Sequence, residues 1–328
     1  MQSQQAIDKS FLLASLKLAE KGQYSCRPNP RVGCVLVKDG DIIGEGWHQV
    51  AGQAHAEVNA IANAHSRSND TIGATAYVSL EPCSFTGKTP PCVDALLAAK
   101  VARVVCASLD PNPKVAGNGI AYLQQQGIDA EVFDDQEVKQ QAEWLNRGFF
   151  KRMRSGLPWV MLKIASSLDG KTADYQGTSQ WITGEQSREE VHHLRAQSCA
   201  VLTGSGTQLA DNPSLNVRLD GYDSQFQPCR VLLDSTAQLK ELSKIVGEDG
   251  KLILFTQPDS VVLQEIETRS TVVRQNPNDL LAVLRYLADE KEVNYVMLEA
   301  GAKLAGSFIE NDLVDEINHY NAPIIIGS

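Results

Sequence analysis

The sequence predicts two different α/β domains, one over residues 1–150 and the other over residues 151–328. Short apolar runs typical of strands alternate with helical segments in both halves, as in sheets that are covered by helices. A length of 328 residues corresponds to two domains at roughly 150 residues each. Residues 152–160, RMRSGLPWV, combine a charge cluster with Gly and Pro and mark the boundary. No internal repeat is visible, so the two halves are not a duplication.

The elements of the first half follow from apolar spacing and from turn residues. Phe11, Leu12 and Leu16 recur at helical intervals before Gly22, which predicts an N-terminal helix. Asp39-Gly40 separates two apolar runs and predicts a β-hairpin, because both central turn positions require positive φ. The remaining predictions are helices over 55–65, 92–100, 120–126 and 135–153, and strands over 74–80, 102–109 and 129–133.

The second half repeats the alternation with different lengths. Its apolar runs predict strands over 159–166, 200–203, 230–233, 252–255, 295–298 and 317–326. Helical spacing predicts helices over 187–197, 279–290 and 303–310.

Composition excludes several classes of protein. Lys plus Arg is 30 and Asp plus Glu is 40, and the net charge of −10 argues against a large nucleic-acid interface. Seven widely spaced cysteines, an odd number, do not form the pattern of a secreted disulfide framework. No apolar run reaches the 18 or so residues that span a bilayer, and no signal-peptide pattern is present. We therefore expect a cytoplasmic protein with no membrane partner.

The most informative pattern is His55-Ala56-Glu57, followed by Pro82-Cys83 and Pro91-Cys92. Catalytic zinc takes three protein ligands and leaves a fourth position for water, and one His with two Cys meets that count. His55 and Glu57 converge only if they lie at the start of a helix, because residues two apart do not share a helix face. We therefore predict that His55, Cys83 and Cys92 bind zinc and that Glu57 moves protons in a hydrolytic deamination.

Alternatives to this site remain open from the residues alone. Two cysteines nine residues apart can be ordinary buried thiols, and a closed structural zinc would need a fourth ligand such as Cys34 or Cys106. Both of those cysteines lie in apolar strands, and we interpret them as core residues.

Three motifs in the first half carry a family resemblance: HAEVNAI, SLEPCSFTGKTPPC (residues 79–92) and DPNPKVAGNGI (residues 110–120). They resemble the bifunctional riboflavin-biosynthesis deaminase-reductases. That resemblance implies an N-terminal cytidine-deaminase-like α/β/α domain and a C-terminal dihydrofolate-reductase-like α/β domain. It also implies that Asn29, His48 and Asp110 hold a pyrimidine substrate. This chain has Phe85 and Thr86 where the family commonly carries His, and Lys88 where Arg is usual.

The second half is less informative without the resemblance. Gly301 and Ala302 follow a predicted buried strand and open a helix, a combination that suits a phosphate but also an ordinary turn. Gly204-Ser205-Gly206 lacks the third glycine of a dinucleotide fingerprint.

KIASSLDGKTA, GTSQWITG, HHLRAQSCAVLTGSGTQLADNPSLNVR and LEAGAKLAGS resemble the reductase domain of the same family, which uses NADPH. By position, the resemblance implies a cofactor site formed by Ala165, Trp181, Thr207, Asp211, Ser235, Gly301, Ala302, Lys303, Leu304, Ala305, Gly306 and Ser307. It implies substrate contacts from Ser179, Arg195, Leu215, Arg218 and Glu299. Arg195 and Arg218 suit a phosphate chemically, and Asp211 is a candidate for proton management.

The resemblance implies two steps on a phosphorylated pyrimidine. The amine of 2,5-diamino-6-(5-phosphoribosylamino)pyrimidin-4-one is removed by hydrolysis, and hydride from NADPH then converts ribosyl to ribityl. It also implies a homo-oligomer. One alternative keeps the deaminase but makes the second half a non-catalytic binding or assembly module. A second alternative, that the protein deaminates nucleic acid, conflicts with the net negative charge of the chain. The chain ends at Ser328 where the family continues, so we expect an exposed edge in the second sheet.

Overall fold

The computed structural model describes residues 3–87, 89–173, 182–247, 249 and 251–327. The chain divides into two compact units, Met1–Ser155 and Gly156–Ser328. Ser179 and Trp181, together with Lys88, lie outside the described residues. Among the described residues, no helix combines the length and apolar character that crossing a membrane requires.

The first unit is built on a five-stranded mixed sheet. Its strands are β1 (Gly33–Lys38), β2 (Asp41–Trp47), β3 (Thr75–Val78), β4 (Arg103–Cys106) and β5 (Asp129–Val132). The spatial order is β2-β1-β3-β4-β5, in which β1 is antiparallel to both neighbours and β3, β4 and β5 are parallel. The predicted hairpin is confirmed, with φ of 53° at Asp39 and 87° at Gly40.

Helices cover both faces of this sheet. They are α1 (Gln4–Ala19), α2 (Ala56–Ser66), α3 (Cys92–Ala98), α4 (Asn118–Gln125), α5 (Gln136–Leu145) and α6 (Arg147–Ser155). Helices α2, α3 and α4 contribute to the core that contains Cys34 and Cys106, both completely buried as predicted. Helices α1 and α5 pack on the opposite face, where Tyr77 lies.

The single helix predicted over residues 135–153 is wrong, because two helices meet at Asn146. The side chain of Asn146 accepts a hydrogen bond from the backbone N–H of Arg31 (2.8 Å) and donates one to the Arg31 carbonyl (2.9 Å). These bonds hold Asn146 outside helical geometry, at φ −112° and ψ 22°. Apolar spacing continues across the break and gives no sign of it.

Helix α2 lies directly on strand β2 because β2 presents glycines to it. A Cβ on Gly46 would lie 2.3 Å from the backbone nitrogen of Ala60 and 2.4 Å from the carbonyl oxygen of Ala56. A Cβ on Gly44 would lie 2.5 Å from the Ala60 carbonyl oxygen. Only glycine permits this approach, which fixes the start of α2 on the sheet.

The second unit is built on a seven-stranded parallel sheet. Its strands are β6 (Trp159–Ser167), β7 (Ala200–Gly204), β8 (Cys229–Leu233), β9 (Leu252–Thr256), β10 (Ser270–Arg274), β11 (Tyr295–Leu298) and β12 (Glu316–Ala322). The spatial order is β10-β9-β8-β7-β11-β6-β12, and neighbouring strands are parallel throughout. The helices are α7 (Glu185–Gln197), α8 (Ser205–Asp211), α9 (Gln264–Arg269), α10 (Leu280–Glu290) and α11 (Ala302–Glu310).

Four elements of this unit differ from the sequence prediction. Helices α8 and α9 and strand β10 were not predicted, because α8 follows β7 without a turn and β10 follows α9 in the same way. The last strand was predicted to reach residue 326, but β12 ends at Ala322. Pro323 comes next, and proline has no N–H to donate to a strand neighbour.

Candidate active site

Three separate segments of the first unit bring His55, Cys83 and Cys92 together. His55 is the residue before α2, in extended conformation, and Cys92 is the first residue of α3. Cys83 lies in the loop that follows β3. Among the described residues, these three are the cluster of His, Cys and acidic side chains whose geometry suits a metal ion.

The ligand atoms lie at distances that suit zinc. Nδ1 of His55 is 3.2 Å from Sγ of Cys92 and 3.6 Å from Sγ of Cys83, and all three ligand atoms lie within 4.8 Å of one another. Tetrahedral zinc, with bonds of about 2.1 Å to nitrogen and about 2.3 Å to sulfur, places such atoms about 3.6 Å apart. Hydrogen bonds with Cys92 and His55 lower the pKa of the Cys83 thiol, which favours the thiolate that zinc binds. The donor set therefore fits Zn²⁺.

The ring of His55 is held from its other side. The hydroxyl of Thr89 lies 3.3 Å from Nε2 of His55, so Nδ1 faces the two sulfurs. The ring of His48 packs edge-on against His55, with centroids 5.0 Å apart. Thr89 was not singled out in the sequence, although it lies in the TPPC motif three residues before Cys92.

Glu57 lies in the first turn of α2, where the His-x-Glu spacing predicts it. Its side chain is 2% exposed, and Oε2 has no hydrogen-bond partner among the described residues. Burial raises the pKa of Glu57 to about 7, and the charge of Cys83 adds to this effect. The carboxyl group therefore titrates near neutrality and has a free oxygen, as proton transfer requires.

The predicted pyrimidine-binding residues surround this cluster. Nδ2 of Asn29 lies 3.0 Å from Nε2 of His48, and Nδ1 of His48 lies 3.2 Å from the carbonyl of Ala54, next to His55. Burial lowers the pKa of His48, which keeps its ring neutral. Asp110 follows β4; burial raises its pKa to about 7, and its carboxylate accepts a hydrogen bond from the Asn112 N–H.

The second unit places a charged cluster at its own strand ends. Arg195 on α7 forms two bonds with Glu299, which follows β11: Nε to Oε1 at 2.5 Å and Nη2 to Oε2 at 2.8 Å. Nη1 of Arg195 donates to the carbonyl of Asn216 (3.1 Å). Burial would raise the pKa of Glu299, but the charge of Arg195 outweighs it and holds that pKa below its usual value.

Arg218 is the exposed cation beside this pair. Its Nη1 donates to Ser214 (2.9 Å) and to Asn216 (2.8 Å), and its backbone N–H donates to Nδ1 of His192 (3.2 Å). Leu215, in the same loop, is buried with a positive φ of 51°, a conformation that costs a leucine about 1 kcal/mol. Sequence reasoning missed His192, one of two adjacent histidines in HHLRAQ.

Those of the predicted cofactor residues that the structure describes lie near the carboxyl ends of the central strands, where parallel sheets bind ligands. Ala165 is in β6, Ser235 follows β8, and Thr207 is in α8 after β7. The hydroxyl of Thr207 accepts a hydrogen bond from the Gly301 N–H (3.1 Å). Asp211 is the last residue of α8.

Residues Gly301 through Ser307 differ in how they could contribute to the cofactor site. Gly301, Ala302 and Lys303 are exposed at the start of α11. The Gly301 N–H binds Thr207, and the first N–H groups of the helix itself are available to a phosphate. Ala305 is buried in the core, and its N–H donates to the Gly301 carbonyl (3.1 Å). The exposed start of α11, with its small residues, fits the phosphates of NADPH.

Comparisons with known families match both units. The model described as RibD C-terminal domain matches residues 158–328. The model described as cytidine and deoxycytidylate deaminase zinc-binding region matches residues 5–108.

Similar proteins cover nearly the whole chain. The riboflavin biosynthesis protein RibD of Escherichia coli is 46% identical over 98% of this chain and 89% of its own length. The RibD of Haemophilus influenzae is 43% identical over 98% of this chain and 87% of its own. A solved structure of Acinetobacter baumannii RibD superimposes with a TM-score of 0.91 at 42% identity, over 99% of this chain and 89% of that one. A diaminohydroxyphosphoribosylaminopyrimidine deaminase/5-amino-6-(5-phosphoribosylamino)uracil reductase from Thermotoga maritima gives a TM-score of 0.90 at 34% identity, over 99% and 89%.

The fold and these matches define a bifunctional enzyme: a cytidine-deaminase-like unit that uses zinc, followed by a reductase unit that uses NADPH. The chain belongs to the RibD family of riboflavin biosynthesis proteins. The predicted fold class, with a cytidine-deaminase-like domain before a reductase domain, is confirmed. The alternative of a non-catalytic second half is not favoured, because the second unit matches the RibD C-terminal domain over its length.

Proposed function

We propose that the first unit deaminates 2,5-diamino-6-(5-phosphoribosylamino)pyrimidin-4-one and that the second reduces the ribosyl group of the deaminated product to ribityl. We assign the deaminase to residues 1–150 and the reductase to residues 151–328. The observation that carries the proposal is the approach of Nδ1 of His55 to two sulfurs, next to the buried Glu57 carboxylate with its unpartnered oxygen. The name of the Thermotoga maritima relative supports the substrate, and that of the Escherichia coli relative supports a role in riboflavin biosynthesis.

In the deaminase, His55, Cys83 and Cys92 would hold zinc, which supplies a nucleophile at neutral pH by lowering the pKa of water. Glu57 accepts one proton of the attacking water and delivers it to the ring nitrogen. It then transfers the second proton, from the newly added hydroxyl, to the departing amine, which leaves as ammonia. Asn29, His48 and Asp110 would orient the pyrimidine.

In the reductase, the nicotinamide supplies the hydride for the sugar C1, and this chain supplies orientation and charge. Arg218 is exposed and would bind the 5-phosphate of the substrate. Arg195 donates three hydrogen bonds, two to Glu299 and one to Asn216. Its role is therefore to hold the Glu299 carboxylate in a fixed orientation toward the substrate. Leu215 and Ser179 complete the proposed substrate contacts.

We propose cofactor contacts from Ala165, Thr207, Asp211, Ser235 and Gly301 through Ser307, which follow or end four strands, and also from Trp181. We further propose that the enzyme acts on its small-molecule substrate as a homo-oligomer in the cytoplasm. Sedimentation of the purified protein tests the oligomer, and a sedimenting monomer at assay concentration contradicts it.

The decisive experiment measures both activities and the metal in one preparation of the whole chain. We expect about one zinc per chain, ammonia release from the diaminopyrimidine phosphate, and NADPH oxidation with the deaminated product. Cys83→Ala removes a zinc ligand and abolishes ammonia release, while NADPH oxidation continues. Cys199→Ala, which changes a thiol in the second unit, is the matched control and keeps its zinc. Ammonia release by metal-free protein contradicts the deaminase proposal, and lack of NADPH oxidation contradicts the reductase proposal.

A further inference from the structure

Glu81 is a buried carboxylate directly before the Pro82-Cys83 pair. It is 3% exposed, and its backbone N–H donates to the carbonyl of Ser108 (2.9 Å), which joins the segment after β3 to the segment after β4. No Lys, Arg or His forms an ion pair with it in the part of the chain that the structure describes. Burying a carboxylate costs free energy unless hydrogen bonds or an opposite charge offset that cost, and backbone N–H groups offset it here.

Both oxygens of Glu81 accept backbone hydrogen bonds. Oε2 accepts from the N–H groups of Asp110 (3.2 Å) and Gly117 (2.9 Å). Oε1 accepts from the N–H groups of Gly119 (2.9 Å) and Ile120 (3.3 Å). Gly117 is the residue before α4, so the negative charge of Glu81 also lies at the positive end of that helix. One side chain thus closes the loop from residue 110 to residue 117 at both ends.

The start of α4 also packs directly on the loop that carries the zinc ligand. A Cβ on Gly119 would lie 2.1 Å from the carbonyl oxygen of Pro82, so that position admits only glycine. The hydrogen bonds of Glu81 and the packing of Gly119 on Pro82 thus connect the loop that carries Cys83 to the loop that carries Asp110. A displacement of either loop therefore changes the distance between a metal ligand and a substrate-binding residue.

We propose that Glu81 is a positioning residue of the deaminase, which sets the place of Asp110 relative to Cys83 through its four backbone hydrogen bonds. This proposal rests on the proposed deaminase function. Glu81 is not one of the three zinc ligands, and its described hydrogen bonds are to backbone N–H groups, so it acts through the backbone of the substrate loop.

The test compares Glu81→Gln with the wild type in the whole chain. Glutamine has the same shape, but its NH₂ group faces backbone N–H donors, so two of the four bonds are lost and the loop relaxes. We expect KM for the diaminopyrimidine phosphate to rise about tenfold or more, with kcat less affected, zinc retained and NADPH oxidation unchanged. Glu81→Asp keeps the charge and is expected to recover part of the loss.

Asp8→Asn is the matched control for a purely structural carboxylate. Asp8 is also 3% exposed in the first unit, but it lies on the opposite face of the sheet, where it binds Tyr77 (2.6 Å) and Arg103 (2.8 Å). We expect Asp8→Asn to lower the melting temperature with KM unchanged. If Glu81→Gln yields no folded protein, Glu81→Asp replaces it, with a smaller rise in KM expected, still above twofold.

A KM within twofold of wild type in the folded Glu81 variants overturns the proposal, as does an equal rise in KM for Asp8→Asn. Wild-type protein that releases no ammonia contradicts the proposed function instead, so the two failures are distinguishable.

Discussion

Arg195 and Glu299 form a two-bond ion pair although 104 residues separate them in the chain. Their side chains are 12% and 11% exposed, so the pair is nearly buried between α7 and the turn after β11. The charge of each compensates the burial of the other, which holds the Glu299 carboxyl in its ionised form. Neither charge can be removed alone without leaving its opposite buried.

The first prediction concerns this pair. Arg195→Met and Glu299→Gln each lower the free energy of unfolding by about 3–5 kcal/mol, and the double variant loses less than the sum of the two. Urea unfolding of the four proteins measures the coupling. Arg154→Met is the control, because its partner Glu143 and Arg154 itself are more exposed and such pairs contribute under about 1 kcal/mol. Additive losses in the double variant would contradict the coupling.

The second prediction concerns the effect of acid on His192. Burial lowers the pKa of His192 to about 4, and the charges of Arg195 and Arg218 add to this. An unfolded histidine has a pKa of about 6.5 and therefore binds more protons than folded His192 between these two values. Its contribution to stability is complete above pH of about 6.5 and is lost as the pH falls toward 4.

His192→Asn measures that contribution, because Asn offers an oxygen to the Arg218 N–H but does not titrate. We expect the urea midpoint of the wild type to fall more than that of the variant between pH of about 6.5 and about 4. Parallel curves for the two proteins would show that His192 is not the group that titrates.

The third prediction concerns Glu57. Glu57→Gln keeps the shape of the side chain and all three zinc ligands but removes the proton acceptor. We expect about one zinc per chain, a loss of deamination of about a thousandfold, and unchanged NADPH oxidation. Glu45→Gln, which changes a half-buried carboxylate on β2, is the control and keeps its activity. Normal ammonia release from Glu57→Gln would disprove the assignment of proton transfer to this residue.

The fourth prediction concerns the close packing of α2 on β2. Gly46→Ala adds a methyl group about where the Ala60 nitrogen and Ala56 carbonyl already lie, and it destabilises the first unit by about 1–3 kcal/mol. Because α2 carries His55 and Glu57 at its start, we expect deamination to fall while NADPH oxidation persists. Gly184→Ala, whose added methyl meets nothing within 4 Å, is the control. Ammonia release at the wild-type rate from Gly46→Ala would show that the start of α2 does not depend on this contact.

The zinc cluster was predictable because its signal is local. Each ligand lies at a helix start or after a strand, next to a proline in the case of both cysteines, and the spacing alone indicates the chemistry. The alternation of strands and helices is equally local, so the order of the elements was predictable apart from the break at Asn146 in the first half and α8, α9 and β10 in the second. Asp39-Gly40 is the clearest example, since positive φ at two successive residues specifies one kind of turn.

The remainder depends on contacts between distant residues. The break at Asn146 is produced by its bonds to Arg31, 115 residues earlier, and no property of residues 135–153 reveals it. The partner of Arg195 and the four bonds of Glu81 likewise depend on how strands are arranged in space. The end of β12 is an exception, because Pro323 was visible in the sequence and should have ended the predicted strand there.

The position of β6 in its sheet has a consequence for synthesis on the ribosome. Both neighbours of this strand, β11 and β12, are encoded more than a hundred residues later. The first unit uses only residues 1–155, so all its residues are available for folding early in translation. Strand β6, in contrast, has no partner strand until almost the whole second unit has been translated. During that interval the backbone N–H and C=O groups of β6 have no strand partner, and such exposed edges can pair with other chains.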